Sequence, residues 1–189
     1  MYHITKIIII LFIIPLLGSC ATTSSKSTPD KRQEVLAMKN EVLSDLYKIK
    51  PHTKSMIAEA PGYAVFSNAN VNIIFASFGG GYGVVKNNKT GKHTYMKMGE
   101  FGIGLGLGVK DFRAIFIFHD EPTMNNFIES GWQFGGHADA AAIADDKGVG
   151  AVGGEVVIDN ITIYQITKTG LALQATIKGT KYWKDDELN

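Results

Sequence analysis

The sequence predicts an α+β fold: a curved, mainly antiparallel β-sheet or partial barrel with N-terminal helices packed on it. Three observations point there. Apolar residues keep helical spacing over 30–50, break into short strand-like runs after Pro61, and share those runs with glycine, which supplies 21 of 189 residues against 5 prolines. Glycine in that setting serves bends and close approaches inside a folded sheet, where abundant proline would signal a linker. With 45% hydrophobic and 20% charged residues, the chain has the composition of one globular domain of ordinary size. A net charge of +1 gives no basic footprint for nucleic acid.

The first nineteen residues read as a leader. Met1 to Lys6 is short and weakly basic, and Ile7 to Leu17 is apolar apart from the helix breaker Pro15. As a helix that run spans about 16 Å, well short of the roughly 30 Å hydrocarbon core of a bilayer. It ends in Leu17-Gly18-Ser19-Cys20, which resembles the bacterial lipobox, whose cysteine is diacylated before cleavage. The single cysteine of the chain, Cys20, is thus expected to carry lipid, and it leaves no partner for an intramolecular disulfide or a cysteine zinc site. Cleavage before Cys20 removes Lys6 and no acidic residue, so the mature side chains sum to zero charge and attachment to the membrane falls to the acyl chains. Ala21, rather than Asp, follows the cysteine, which resembles the pattern sorted to the outer membrane. Residues 20–29 then form a polar tether.

A domain over 30–184 and a tail over 185–189 make up the rest. Val35, Met38, Val42, Leu46 and Ile49 form a helical stripe, entered through Ser27-Thr28-Pro29-Asp30 and stopped by Lys50-Pro51. A short helix from Pro51 to about Glu59 follows, with its proline in the first turn. Strands are then expected over Tyr63–Phe66, Val71–Phe78, Tyr82–Lys86 and His93–Met98, the last two joined as a hairpin by Asn87-Asn88-Lys89-Thr90-Gly91. Gly102 to Val109 alternates glycine with aliphatics, a strand with one bald face. Arg113–Phe118 is a further strand, and Glu121–Glu129 is a helix ended by Gly131. Trp132–Ala144 is expected as strand, 145–154 as a glycine-rich turn region, and Val156–Ile158, Ile161–Thr167 and Leu171–Ile177 as the strands that complete the sheet.

Few residues form a pattern that chemistry would need. Gly148-x-Gly150-x-x-Gly153 matches a dinucleotide fingerprint as a string, but strand-like Val156-Val157-Ile158 follows where a helix should open. His137 with Asp139, and the run His119-Asp120-Glu121, offer metal ligands or an acid–base pair, yet neither has a third ligand at a recognisable spacing. Gly-x-Ser-x-Gly is missing, so nothing marks a nucleophile elbow. No cofactor is implied. Lysines are the more informative group: Lys48, Lys50 and Lys54 lie around the end of the first helix, with Lys31, Arg32 and Lys39 before them, and Lys86, Lys89 and Lys92 ring the hairpin. These two sets are the candidate contacts for lipid head groups.

The order of motifs carries a resemblance. Ala60-Pro61-Gly62-Tyr63-Ala64-Val65-Phe66, then Gly79-Gly80-Gly81-Tyr82-Gly83-Val84-Val85, then Tyr164 and Gly170-Leu171, resembles the SYLF domain. Its bacterial secreted branch is similar also through Gly108-Val109-Lys110-Asp111, Ser130-Gly131-Trp132 and Gly179-Thr180-Lys181-Tyr182-Trp183. The resemblance implies lipid binding without catalysis, with anionic membrane lipids as partners. Eukaryotic members bind phosphoinositides, and yeast members bind actin, which a periplasmic lipoprotein does not meet. Where that branch typically has an aromatic residue after Gly-Leu and an acidic residue before glycine, this chain has Ala172 and Lys178. The expectation is therefore an outer-membrane-anchored periplasmic lipoprotein whose domain binds lipid or another envelope component. The alternatives are an envelope structural or protein-interaction domain, and an enzyme built on His137 and Asp139.

Overall fold

The computed structural model describes residues 26–67, 80–100, 113–133, 155–167, 170–171 and 180–189. Helix α1 (Thr28–Ile49) begins where the Ser27 hydroxyl accepts the Asp30 N–H at 3.4 Å, with Pro29 in the first turn. It buries Val35, Met38, Val42, Leu43 and Leu46 and stops at Lys50, ahead of Pro51. Helix α2 (Thr53–Glu59) opens two residues later than the sequence predicts. Pro51 sits in the preceding turn, because the Thr53 N–H and hydroxyl both donate to the Lys50 carbonyl, at 3.0 and 2.7 Å.

The strands are β1 (Gly62–Ser67), β2 (Gly80–Asn87), β3 (His93–Glu100), β4 (Arg113–Phe118), β5 (Trp132–Gln133), β6 (Glu155–Ile158), β7 (Ile161–Thr167), β8 (Gly170–Leu171) and β9 (Thr180–Lys184). Helix α3 (Glu121–Ser130) lies between β4 and β5. All described pairings are antiparallel, in one curved sheet of order β5-β9-β3-β2-β1-β4-β7-β6, with β8 also paired to β7. Asp159 and Asn160, both at positive φ (49° and 61°), make the two-residue turn between β6 and β7, a conformation those short polar side chains tolerate. Asp120 caps α3 by accepting the Thr123 N–H at 2.7 Å, and Gly131 ends it at φ 67°. A β-carbon at Gly131 would meet the Tyr182 carbonyl at 2.5 Å, so both the turn and the packing demand glycine there.

Helices cover the sheet on both faces, and β1 and β4 are buried throughout apart from Arg113. Tyr63, Val65, Val84, Ile115, Ile117 and Tyr164 face α1 and α2. Their sequence neighbours Ala64, Phe66, Val85, Ala114, Phe116 and Ile163 face α3, where Phe127, Trp132 and Tyr182 join an aromatic cluster. This is the period of two that a doubly covered strand imposes.

Residues 185–189, set outside the domain by the sequence, pack onto it. Asp185 is fully buried, its carboxylate 3.1 Å from the Lys97 ammonium, and Leu188 enters the α1 core. The Asn189 side chain accepts the Tyr95 N–H (2.9 Å) and donates to the Tyr95 carbonyl (2.8 Å), so an amide continues the edge of β3 where β9 stops.

Of the expected strands, Val71–Phe78 and Gly102–Val109 lie outside the described residues, as do 145–154, all of 132–144 but Trp132 and Gln133, and 172–177. So do Cys20 with the leader, His137 and Asp139.

The β2–β3 hairpin is tied to α2 by one side chain. Asn88 donates to the carbonyls of Ile57 (2.7 Å) and Ala60 (2.9 Å), which the end of the helix leaves without helical donors. Asn88→Ala strands both acceptors and is expected to cost about 1–3 kcal/mol. Urea unfolding measures this, and an unchanged midpoint would show that water replaces the amide fully.

Candidate functional site

The two lysine sets meet different fates. Lys48 is exposed and paired with Asp45 at 3.0 Å, Lys50 is half-buried in the interhelical turn, and Lys54 is exposed on α2. At the hairpin, exposed Lys89 reaches Glu121 at 3.3 Å. Lys86 is half-buried opposite His93, and Lys92 stays exposed.

Register brings them together. Lys86 and His93 are directly opposed across β2 and β3. Along β2, Tyr82, Val84 and Lys86 alternate onto the α1 face, and on β3 His93 shares a face with Tyr95. Lys39, buried to 8% exposure, comes down from α1 and places its Nζ 3.4 Å from His93 Nε2. Among the described residues no carboxylate lies within ion-pair distance of Lys39, Lys86 or His93.

The electrostatics follow from that crowding. Burial, and then Lys86, hold the Lys39 ammonium below its ordinary value. Burial also lowers His93, with Lys39 and Lys86 adding to the shift. In the opposite direction, burial of the Tyr63 phenol beside Tyr47 pushes it up to about 12, so it stays a neutral neighbour.

His93 also lines a cleft of about 400 Å³ with Arg32, Lys92, Tyr95, Glu129 and Lys184 among its walls. Arg32 sits 5.7 Å over the Tyr95 ring and donates through Nε to the Leu188 carbonyl at 2.8 Å. Glu129, the one acidic side chain among the described residues lining the cleft, is paired with Lys184 at 2.6 Å. The cleft's polar side is therefore net cationic, a setting for an anion.

The sequence marked Lys86 and Lys92, but His93 only as the first residue of an expected strand. Lys39 it grouped with the other cations along the first helix. One signal was available: Lys39 falls on the stripe Val35, Lys39, Val42, Leu46, a charged residue at a spacing that belongs to the core.

The run His119-Asp120-Glu121 is engaged elsewhere. Asp120 caps α3 and accepts from the Asn160 amide at 2.8 Å, Glu121 pairs with Lys89, and His119 Nε2 lies 2.8 Å from the Thr162 hydroxyl. Among the described residues no three His, Cys, Asp or Glu side chains gather as a metal site, and no helix is long and apolar enough to cross a membrane.

A curved antiparallel sheet walled by helices, with a cationic cleft beside its β2–β3 hairpin, defines the class: an α+β domain with a candidate anion-facing site. The chain is similar to Beta cell expansion factor A of Aeromonas veronii, at 33% identity over 165 residues. The match takes in 86% of this chain and 60% of that protein, so the chain spans less than two thirds of its relative's length. No family model matches the chain.

Proposed function

We propose that this is an outer-membrane-anchored periplasmic lipoprotein whose domain, of SYLF type, binds membrane lipid or another envelope component and acts by binding rather than catalysis. The order of the motifs from Ala60-Pro61-Gly62 to Gly179-Thr180-Lys181-Tyr182-Trp183 carries the reading. The ending Leu17-Gly18-Ser19-Cys20 supports the anchor, with Cys20 as the acylated residue. The uncompensated cations at the β2–β3 hairpin supply a surface that anionic head groups complement.

Residues 26–189 contain every described element and none of the leader, so they separate recognition by the domain from attachment by acyl chains. In vesicle co-flotation this polypeptide is expected to float with anionic vesicles more than with neutral ones, and to detach as salt shortens the Debye length to about 3 Å at 1 M. Equal binding to neutral vesicles in high salt would replace the head-group reading with an apolar one. No binding to any lipid would move the function to a protein partner in the envelope, which crosslinking in intact cells would capture.

A further inference from the structure

We infer that Lys39, Lys86 and His93, opening through His93 onto the cleft with Lys92 and Arg32, form a binding site for a phosphate group. The inference deepens the lipid-binding reading above and rests on it only for the origin of the phosphate, which a lipid head group or a free phosphate can supply.

Three observations carry it. A directly opposed Lys–His pair on neighbouring strands is a like-charge arrangement once His93 is protonated, and such pairs are destabilising on their own. A second ammonium, that of Lys39, is buried above that pair, with no carboxylate among the described residues within ion-pair distance of it. Elsewhere the domain does pair its shielded charges: Arg113 meets Glu41 and Asp45, and Lys97 meets buried Asp185. The trio lacks such pairing, and a dianionic or monoanionic phosphate oxygen set would provide it through charge-assisted hydrogen bonds. The cleft also has room, since its volume of about 400 Å³ lies within the usual range of small-ligand sites.

Proton linkage follows from the geometry. Among the described residues the charged side chains around His93 are Lys39 and Arg32 from α1, Lys86 from β2, Lys92 from its own hairpin, Lys184 from β9, and Glu129 from α3, already bound to Lys184. Without an anion this surrounding disfavours imidazolium, and a bound phosphate reverses that preference. Binding therefore takes up a proton and weakens as pH rises through the titration of His93.

The test is calorimetric titration of the full chain in nonionic detergent. The probes are inorganic phosphate and, separately, mixed micelles containing phosphatidylglycerol. Variants are Lys39→Met and His93→Gln, with Lys26→Ala as a control because Lys26 lies outside both lysine sets and pairs with Glu34. Wild type is expected to bind at least one probe with proton uptake. Lys39→Met is expected to weaken that binding roughly tenfold or more, the loss of one charge-assisted contact. It should also keep or raise the unfolding midpoint, since it removes a buried unpaired cation. His93→Gln should flatten the pH dependence, and Lys26→Ala should change nothing.

Binding of free phosphate but not of micelles, lost in Lys39→Met, would support the site and overturn the lipid reading. Micelle binding lost in Lys39→Met supports both. Micelle binding retained in Lys39→Met leaves the lipid reading standing and overturns this site, and binding of neither probe by wild type overturns both.

Discussion

Phe116→Ala is expected to lower the free energy of unfolding by about 3–5 kcal/mol, enough to unfold a marginal domain. Phe116 is fully buried at the centre of β4, and four rings surround it: Tyr182 at 5.1 Å, Phe127 at 5.4 Å, Trp132 at 5.6 Å and Phe66 at 5.7 Å. Several meet edge to face, the geometry in which a positive ring edge approaches a negative face. Those rings come from β1, β5, β9 and α3, so collapse to fill the void would have to move four elements at once. Equilibrium urea unfolding followed by tryptophan fluorescence measures the cost, with Trp132 as a reporter inside the cluster. A loss under about 1 kcal/mol would mean that the cluster repacks freely.

Gly83→Val is expected to be comparably damaging through excess rather than loss. A β-carbon there would lie 2.2 Å from Phe66 Cδ1 and 2.4 Å from the Val65 carbonyl oxygen. The ring has little freedom because Tyr182 packs against it at 4.6 Å, and the carbonyl belongs to the backbone of β1. Overpacking ordinarily costs about 1–3 kcal/mol, and a clash with backbone belongs at or above the upper end. The soluble yield and unfolding midpoint of the variant check this. A wild-type midpoint would show that β1 and β2 separate without penalty.

Much of this architecture is legible in the chain because its signals are local. Ser27-Thr28-Pro29 caps α1, Gly131 ends α3, and Asp159-Asn160 can turn only a short hairpin. The alternation of β1 and β4 is harder to see, since both faces are apolar and period two dissolves into a continuous run. Residues 185–189 misled for another reason. Asp185-Asp186-Glu187-Leu188-Asn189 has the composition of a solvated tail, and what docks it is an ion pair, a single buried leucine and an amide imitating a strand, none of which has a periodicity. At the site, residue types were readable but their meeting was not. Lys86 faces His93 only because the hairpin register pairs them, and Lys39 joins them only through the way α1 lies across β2 and β3.

The alternation of β1 and β4 between two cores has a kinetic consequence. Tyr63 and Val65 belong to the layer under α1, while Ala64 and Phe66 belong to the layer under α3, so one stretch of backbone is the common wall of both. Neither layer can open by itself without tearing the wall it shares. Amide protons of β1 and β4 should therefore exchange with solvent together and at the slowest rate in the molecule, as one cooperative unit. The loosening of either helical layer should be felt by the other as a loss of that same protection.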